Sequence, residues 1–209
     1  LTTLGVLTSV GLLVYFKYFN FFVDSFSALL NSIGLHSNVG TFNIIMPLGI
    51  SFFTFKLISY IIEIQRGKIE PAKDFVVFST YIAFFPTILS GPIDRPNTFI
   101  PQLQKKRSFD YNLAVDGCRQ ILWGLFKKVV IADNCAIFVN DIFNNYNDYN
   151  GSTLALGVLF FSFQIYSDFS GYSDIAIGTA RLFGFNLMQN FAFPYFSRNI
   201  VEFWQRWHI

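Results

Sequence analysis

Residues 4–30 form an apolar run in which Lys17, Asn20 and Asp24 are spaced exceptions. Such a run is long enough to cross the ~30 Å hydrocarbon core of a bilayer as a tilted helix. It constrains the chain more than any other feature, because a spanning segment must satisfy its own backbone groups and a helix does so internally. Lys17 then either snorkels toward the interface or pairs with Asp24. Composition points the same way, with 53% apolar, 20% aromatic and only 13% charged residues, against roughly 25% charged in an average soluble domain. Twenty-eight phenylalanines call for lipid as solvent. The net charge of +2 is too small to attract nucleic acid, and the cations fall in short loops. Cys118 and Cys135 have neither a CxxC nor a metal-ligand spacing, so no metal site is read from them and both are expected as small buried residues.

Residues 44–64 read as a second span, with Pro47 and Gly49 in its first turns, where proline is best tolerated. Lys56, Ser59, Tyr60 and Glu63 recur at i, i+3, i+4 and i+7, a polar stripe that must look into a bundle. Loop 65–73 is basic through Arg66, Lys68 and Lys73, and so is 91–112 through Arg95, Lys105, Lys106 and Arg107. The apolar segment between them, 74–90, is barely long enough to span and carries Pro86. Two basic loops on opposite faces would break the positive-inside bias, so 74–90 is expected to enter the protein and return. Residues 113–143 read as an interfacial amphipathic helix continued by a packed half from Val129. Loops 31–41, with its lone His36, and 144–151 carry no Lys or Arg and are expected outside. No repeat or linker breaks 1–209, which reads as a single transmembrane domain. Without an initiator Met or a stop signal at its end, the chain is expected to be an internal fragment of a longer protein.

Residues 164–209 concentrate the chemistry. On a helix, Gln164, Ser167, Asp168, Ser170, Gly171, Asp174 and Gly178 fall on one broad arc, with Ile165, Tyr166, Phe169, Tyr172, Ala176 and Ala180 opposite. A carboxylate at the bilayer centre costs at least ~2.5 kcal/mol, so Asp168 and Asp174 must face protein or water. The arc reads either as polar glue between helices or as the wall of a buried passage. Beyond Pro194 a new helix is expected, with Asn199 as its N-cap and Glu202 in capping-box spacing. Ile200, Phe203, Trp204 and Trp207 form its apolar face, and His208 lies at the edge of that face, pointing toward the bundle. A neutral imidazole there can accept a proton from a hydroxyl.

Four stretches together carry a resemblance: PLGISFFTFKLISYIIEIQRG at 47–67, FFPTILSGPIDR at 84–95, YSDFSGYSDIAIGTARLFGF at 166–185 and NFAFPYFSRNIVEFWQRWHI at 190–209. They resemble the membrane-bound O-acyltransferase (MBOAT) family, in particular the bacterial alginate O-acetylation branch related to the D-alanyl transfer proteins of teichoic acid synthesis. The resemblance implies an all-α polytopic fold, tilted transmembrane helices around a central tunnel, in the bacterial inner membrane. It implies transfer of an acyl group, acetyl first among them, from a cytoplasmic thioester to hydroxyls of an exported polysaccharide such as alginate. No cofactor is implied beyond the thioester donor, acetyl-CoA or an acyl carrier. The implied partners are the lipid bilayer, the donor, and the polysaccharide or a periplasmic acetyltransferase. Trp207, His208 and Ile209 match the family's W-H-I/M motif, which makes His208 the candidate catalytic base, with a second family histidine farther along than Ile209. Lys56 departs from the glutamine expected in this family. Gln164, Asp168, Ser170, Asp174, Arg95, Asn199 and Trp204 are the candidates for lining the tunnel or positioning substrate.

Two other classes of function fit the same polar wall. A transporter or flippase would use it as a translocation path without a covalent step. A docking subunit would relay acyl groups to a separate periplasmic transferase.

Overall fold

The computed structural model describes residues 2–35 and 43–209. His36 and most of loop 31–41 lie outside the described residues. Among the described residues the regular structure is helical, and the pairing of Phe191 with Trp207 is an isolated antiparallel bridge. Two helices, α1 (Thr2–Ser32) and α7 (Gly151–Leu182), are long and apolar enough to cross a membrane. The chain clusters into two compact units, residues 1–83 with 95–100, and residues 84–94 with 101–209.

In the first unit α1 packs on α2 (Ile50–Gln65). Lys17 does not reach Asp24. Its ammonium lies 3.5 Å from Ser51 Oγ and 5.5 Å from the Tyr18 ring centre. The second helix starts later than its apolar pattern suggests: Gly49 has φ 70°, a left-handed conformation no helix contains, so Pro47 and Gly49 lie ahead of α2 rather than in its first turns. Its 16 residues reach about 24 Å. The polar stripe does face protein, since Lys56, Tyr60 and Glu63 are all buried. Lys56 Nζ donates to Tyr81 O at 3.5 Å, and Tyr60 Oη accepts from the Ala72 N–H at 2.8 Å. Next comes α3 (Phe75–Ile82), capped by Asp74, whose carboxylate accepts from the Val76 N–H at 2.7 Å. Its eight residues reach only about 12 Å, well short of a span, and a 3₁₀ turn at Phe85–Thr87 containing Pro86 follows. α4 (Pro96–Gln104) runs from one unit into the other.

The second unit is built on a long helical path laid against α7. α5 (Tyr111–Leu125) passes through a π-helical turn, Phe126–Ala132, into α6 (Asp133–Asn144), so the expected division near Val129 coincides with a real change of helix type. Glycine permits the close approach of α5 to α7. A Cβ on Gly178 would stand 2.5 Å from Gly117 O, and one on Gly124 would stand 2.6 Å from Gly171 O. Gly117 and Gly124 hold the buried seam of α5, which leaves Cys118 exposed rather than buried, while Cys135 is half-buried. Farther along, Ile142 packs on Gly157, and Phe138 stacks on Phe160 with ring centres 5.4 Å apart. Asn150 caps α7 by accepting from the Thr153 N–H at 3.0 Å. After α7 the chain folds back. Gln102 brackets Asn186 with two hydrogen bonds of 3.0 and 2.9 Å, and Asp94 Oδ1 accepts from the Met188 N–H at 3.0 Å.

Candidate active site

The second unit holds a cavity of about 360 Å³. The face of α7 that lines it is Tyr166, Ser170, Ser173, Asp174, Ile177 and Arg181, residues spaced in steps of three and four as one helical face requires. Tyr166, expected on the opposite side, belongs to this face, and Gly171 and Gly178 form the adjoining seam against α5. The arc read from the sequence therefore divides into a packing seam and a cavity wall.

Across from α7, α5 and its π-helical extension contribute Gln120, Trp123 and Lys127. Lys127 forms an ion pair with Asp174 and donates to Ser170 Oγ at 2.6 Å. Gln120 Nε2 donates to Asp174 Oδ1 at 2.8 Å while its Oε1 accepts from Arg181 at 2.6 Å, and Arg181 also pairs with Asp116 at 2.5 Å. The Lys127 and Asp174 side chains are only 14% and 15% exposed, so each charge is stabilised chiefly by the other. A π-helical turn inserts an extra residue per turn and re-aims side chains. Here it lets two consecutive lysines reach α7, Lys127 at Asp174 and Lys128 at Asp168, the latter at 2.7 Å.

The other candidates lie apart from this network. Asp168 is half exposed and shares Lys128 with Asp133 at 2.9 Å. Gln164 is half-buried, and its Oε1 is buried without a hydrogen-bond partner. Arg95 belongs to the first unit, where its carbonyl caps the start of α4 by accepting from Thr98 and Phe99. Asn199 is the N-cap of α8 (Ile200–Arg206), accepting from the Glu202 N–H at 2.8 Å. Glu202 returns the contact to the Arg198 N–H at 3.0 Å, and that bond, then the Arg198 guanidinium, holds its carboxyl below the usual range. Trp204 is 63% exposed.

His208 departs most from expectation. α8 ends at Arg206, Trp207 is extended, and His208 has φ 51°, so the imidazole is not on a helix face and is exposed. Tertiary pairing overrides the helical pattern: Trp207 bridges Phe191, the Ala192 N–H donates to Arg206 O, and the Ile209 N–H donates to Asn190 O, both at 2.9 Å. The His208 ring packs edge-on against Phe169 with centres 5.0 Å apart. Phe169 in turn packs on Phe191, which lines the cavity. Histidine and cavity thus share one aromatic wall. Sequence reading misses Lys127, Gln120, Arg181 and Asn190. Arg181 stands seven residues after Asp174 on the same face of α7, a spacing the sequence offers, whereas Gln120 and Lys127 stand opposite and become visible only once α5 and its extension are paired with α7.

The charged cavity is lined in part by α7, a helix long and apolar enough to cross a membrane. The chain belongs to the MBOAT, membrane-bound O-acyltransferase, family, whose model matches residues 72–209. It is 41% identical over 206 residues to "Probable alginate O-acetylase AlgI" of Pseudomonas putida, covering 99% of this chain and 42% of that protein. The protein of the same name in Azotobacter vinelandii is 42% identical over 207 residues, 99% of this chain and 41% of its own length. The "Peptidoglycan O-acetyltransferase" of Helicobacter pylori is 34% identical over 232 residues, 99% of this chain and 43% of its length. The chain spans about two fifths of the length of the curated relatives it matches.

Proposed function

We propose that the intact protein is a multi-pass O-acyltransferase of the bacterial inner membrane, its tilted helices arranged around a tunnel. It moves an acyl group, acetyl in the first instance, from a cytoplasmic thioester, acetyl-CoA or an acyl carrier, to hydroxyls of an exported polysaccharide such as alginate. The observation that carries this reading is identity of about 41% over 99% of the chain with a protein named as an alginate O-acetylase, together with the family match.

The chemistry needs a base for the hydroxyl proton, donors for the developing oxyanion, and exclusion of water that would hydrolyse the donor. The hydroxyl oxygen attacks the thioester carbonyl as its proton passes to His208. The tetrahedral intermediate then expels the thiolate, which recovers that proton. No electron is gained or lost. Ser170 and Asp174 on α7 serve to line the substrate path, and Gln164 and Asp168 extend it along the same helix.

The test is polysaccharide O-acetylation in cells lacking the native protein, normalised to the amount of variant in the membrane. His208→Ala should lower transfer by roughly 10²-fold or more. His208→Gln, which hydrogen-bonds but does not shuttle a proton at neutral pH, should be nearly as poor. Near-normal acetylation by the glutamine variant removes His208 from catalysis.

A further inference from the structure

Asn190 joins the cavity to the histidine. It lines the cavity, is 1% exposed, and comes from the stretch that turns back after α7. Three of its polar groups have distinct fates. Its Nδ2 donates to Ser173 Oγ at 2.9 Å. Its main-chain oxygen accepts from the Ile209 N–H at 2.9 Å, one residue beyond His208. Its Oδ1 is buried with no hydrogen-bond partner. Buried amide oxygens are nearly always paired, so an unpaired one in a residue of a cavity wall is an acceptor still to be satisfied, and a molecule seated in the cavity is the candidate donor.

We propose that Asn190 is a substrate-positioning residue. Oδ1 accepts a hydrogen bond from an O–H or N–H of the molecule in the cavity, while the main chain of the same residue holds the segment that carries His208. The surrounding chemistry suits such an occupant. Trp123 and Phe191 offer apolar faces, and the Lys127–Asp174 pair is neutralised internally, so an uncharged donor-bearing segment fits better than an isolated charge. This rests on the acyl-transfer reading, in which two such segments exist, a sugar hydroxyl on the acceptor and an amide N–H on the arm of a coenzyme A thioester.

The experiment titrates the intact, detergent-solubilised protein by calorimetry with acetyl-CoA and, separately, with a hexuronate oligosaccharide, and measures KM and kcat for each in membrane vesicles. Asn190→Leu keeps the side-chain size and the main-chain bond to Ile209 but removes the acceptor, together with the Nδ2 donor to Ser173. It should weaken binding of one probe by roughly tenfold and raise its KM alike, with a smaller change in kcat. Asn190→Asp keeps an acceptor oxygen, leaves the Ser173 hydroxyl free to donate, and should recover most of that loss. Loss confined to the oligosaccharide assigns Oδ1 to an acceptor hydroxyl, and loss confined to acetyl-CoA assigns it to a donor amide. If Asn190→Leu does not accumulate, Asn190→Ala makes the same comparison. Wild-type affinity for both probes in the variant lacking the acceptor overturns the proposal, as does an Asn190→Asp variant no better than Asn190→Leu. A wild-type protein that binds a probe in an Asn190-dependent way yet transfers no acetyl group leaves this inference standing and overturns the acyltransferase reading.

Discussion

At the scale of single residues, the Lys127–Asp174 pair is the interaction whose loss should be felt most. Both side chains are about 15% exposed, and Asp174 keeps only the Gln120 amide if the lysine is removed. Lys127→Met is expected to cost about 2 kcal/mol, because it leaves a largely desolvated carboxylate. The double variant Lys127→Met, Asp174→Leu should cost less than the sum of the two single changes, since it removes both charges. Asp168→Asn should cost under ~1 kcal/mol, because its pair with Lys128 is 43% and 54% exposed. Unfolding midpoints of the intact protein in detergent check all three, and strict additivity for the first pair would show that the two charges do not depend on each other. Asp174 is legible in the sequence as a carboxylate that lipid cannot solvate. Its partner is not, because Lys127 lies 47 positions earlier on a helix whose charges suggest an interface.

At the scale of elements, the seam between α5 and α7 rests on matched glycines. Gly117 and Gly124 are seven apart, as are Gly171 and Gly178, so each pair recurs after about two turns on one face. The new methyl group in Gly178→Ala would meet a backbone oxygen at 2.5 Å, which cannot rotate away. The helices would have to separate, at about 1–3 kcal/mol. Gly151→Ala is the control. Nothing lies within 4 Å of the place its methyl group would take, and alanine favours helix, so the change should be neutral or slightly stabilising. Thermal midpoints of the two variants should move apart, and equal shifts would remove the seam as their cause. The glycines of α7 are visible as a small-residue stripe in the sequence, and the matching pair on α5 gives the stripe its partner. The start of α8 is equally legible, because a cap is a local signal: Asn199 caps the helix as its position suggests, while Glu202 reaches back one residue farther than a capping box requires, to the Arg198 N–H. Its end is not, because the bridge from Trp207 to Phe191 is a tertiary contact that no helical periodicity encodes.

At the scale of the whole molecule, the second unit gives the charge pattern a direction. Loop 144–151, free of Lys and Arg, leads into the first turn of α7, whose 32 residues reach about 48 Å, more than the ~30 Å core needs. The basic stretch around Lys105 lies at the other end of that helix, since Gln102 holds Asn186 and the Arg107 guanidinium stacks 4.1 Å from the Phe185 ring centre. Arg181 sits in the last turn at the same end. An α7 that spans the membrane therefore puts 144–151 and 102–107 on opposite faces, and the excess of Lys and Arg assigns the latter to the cytoplasm. By charge alone, loop 65–73 belongs inside as well and loop 31–41 outside. Single cysteines at Lys68, Lys105 and Asn147 test this in intact cells with a membrane-impermeant thiol reagent, after Cys118 and Cys135 are replaced, because exposed Cys118 would otherwise react. Asn147→Cys should label from outside, whereas Lys68→Cys and Lys105→Cys should label only after permeabilisation. External labelling at position 105 would reverse α7 in the bilayer, and with it the side of the membrane nearer to the Lys127–Asp174 pair, which lies toward the Arg181 end of the helix.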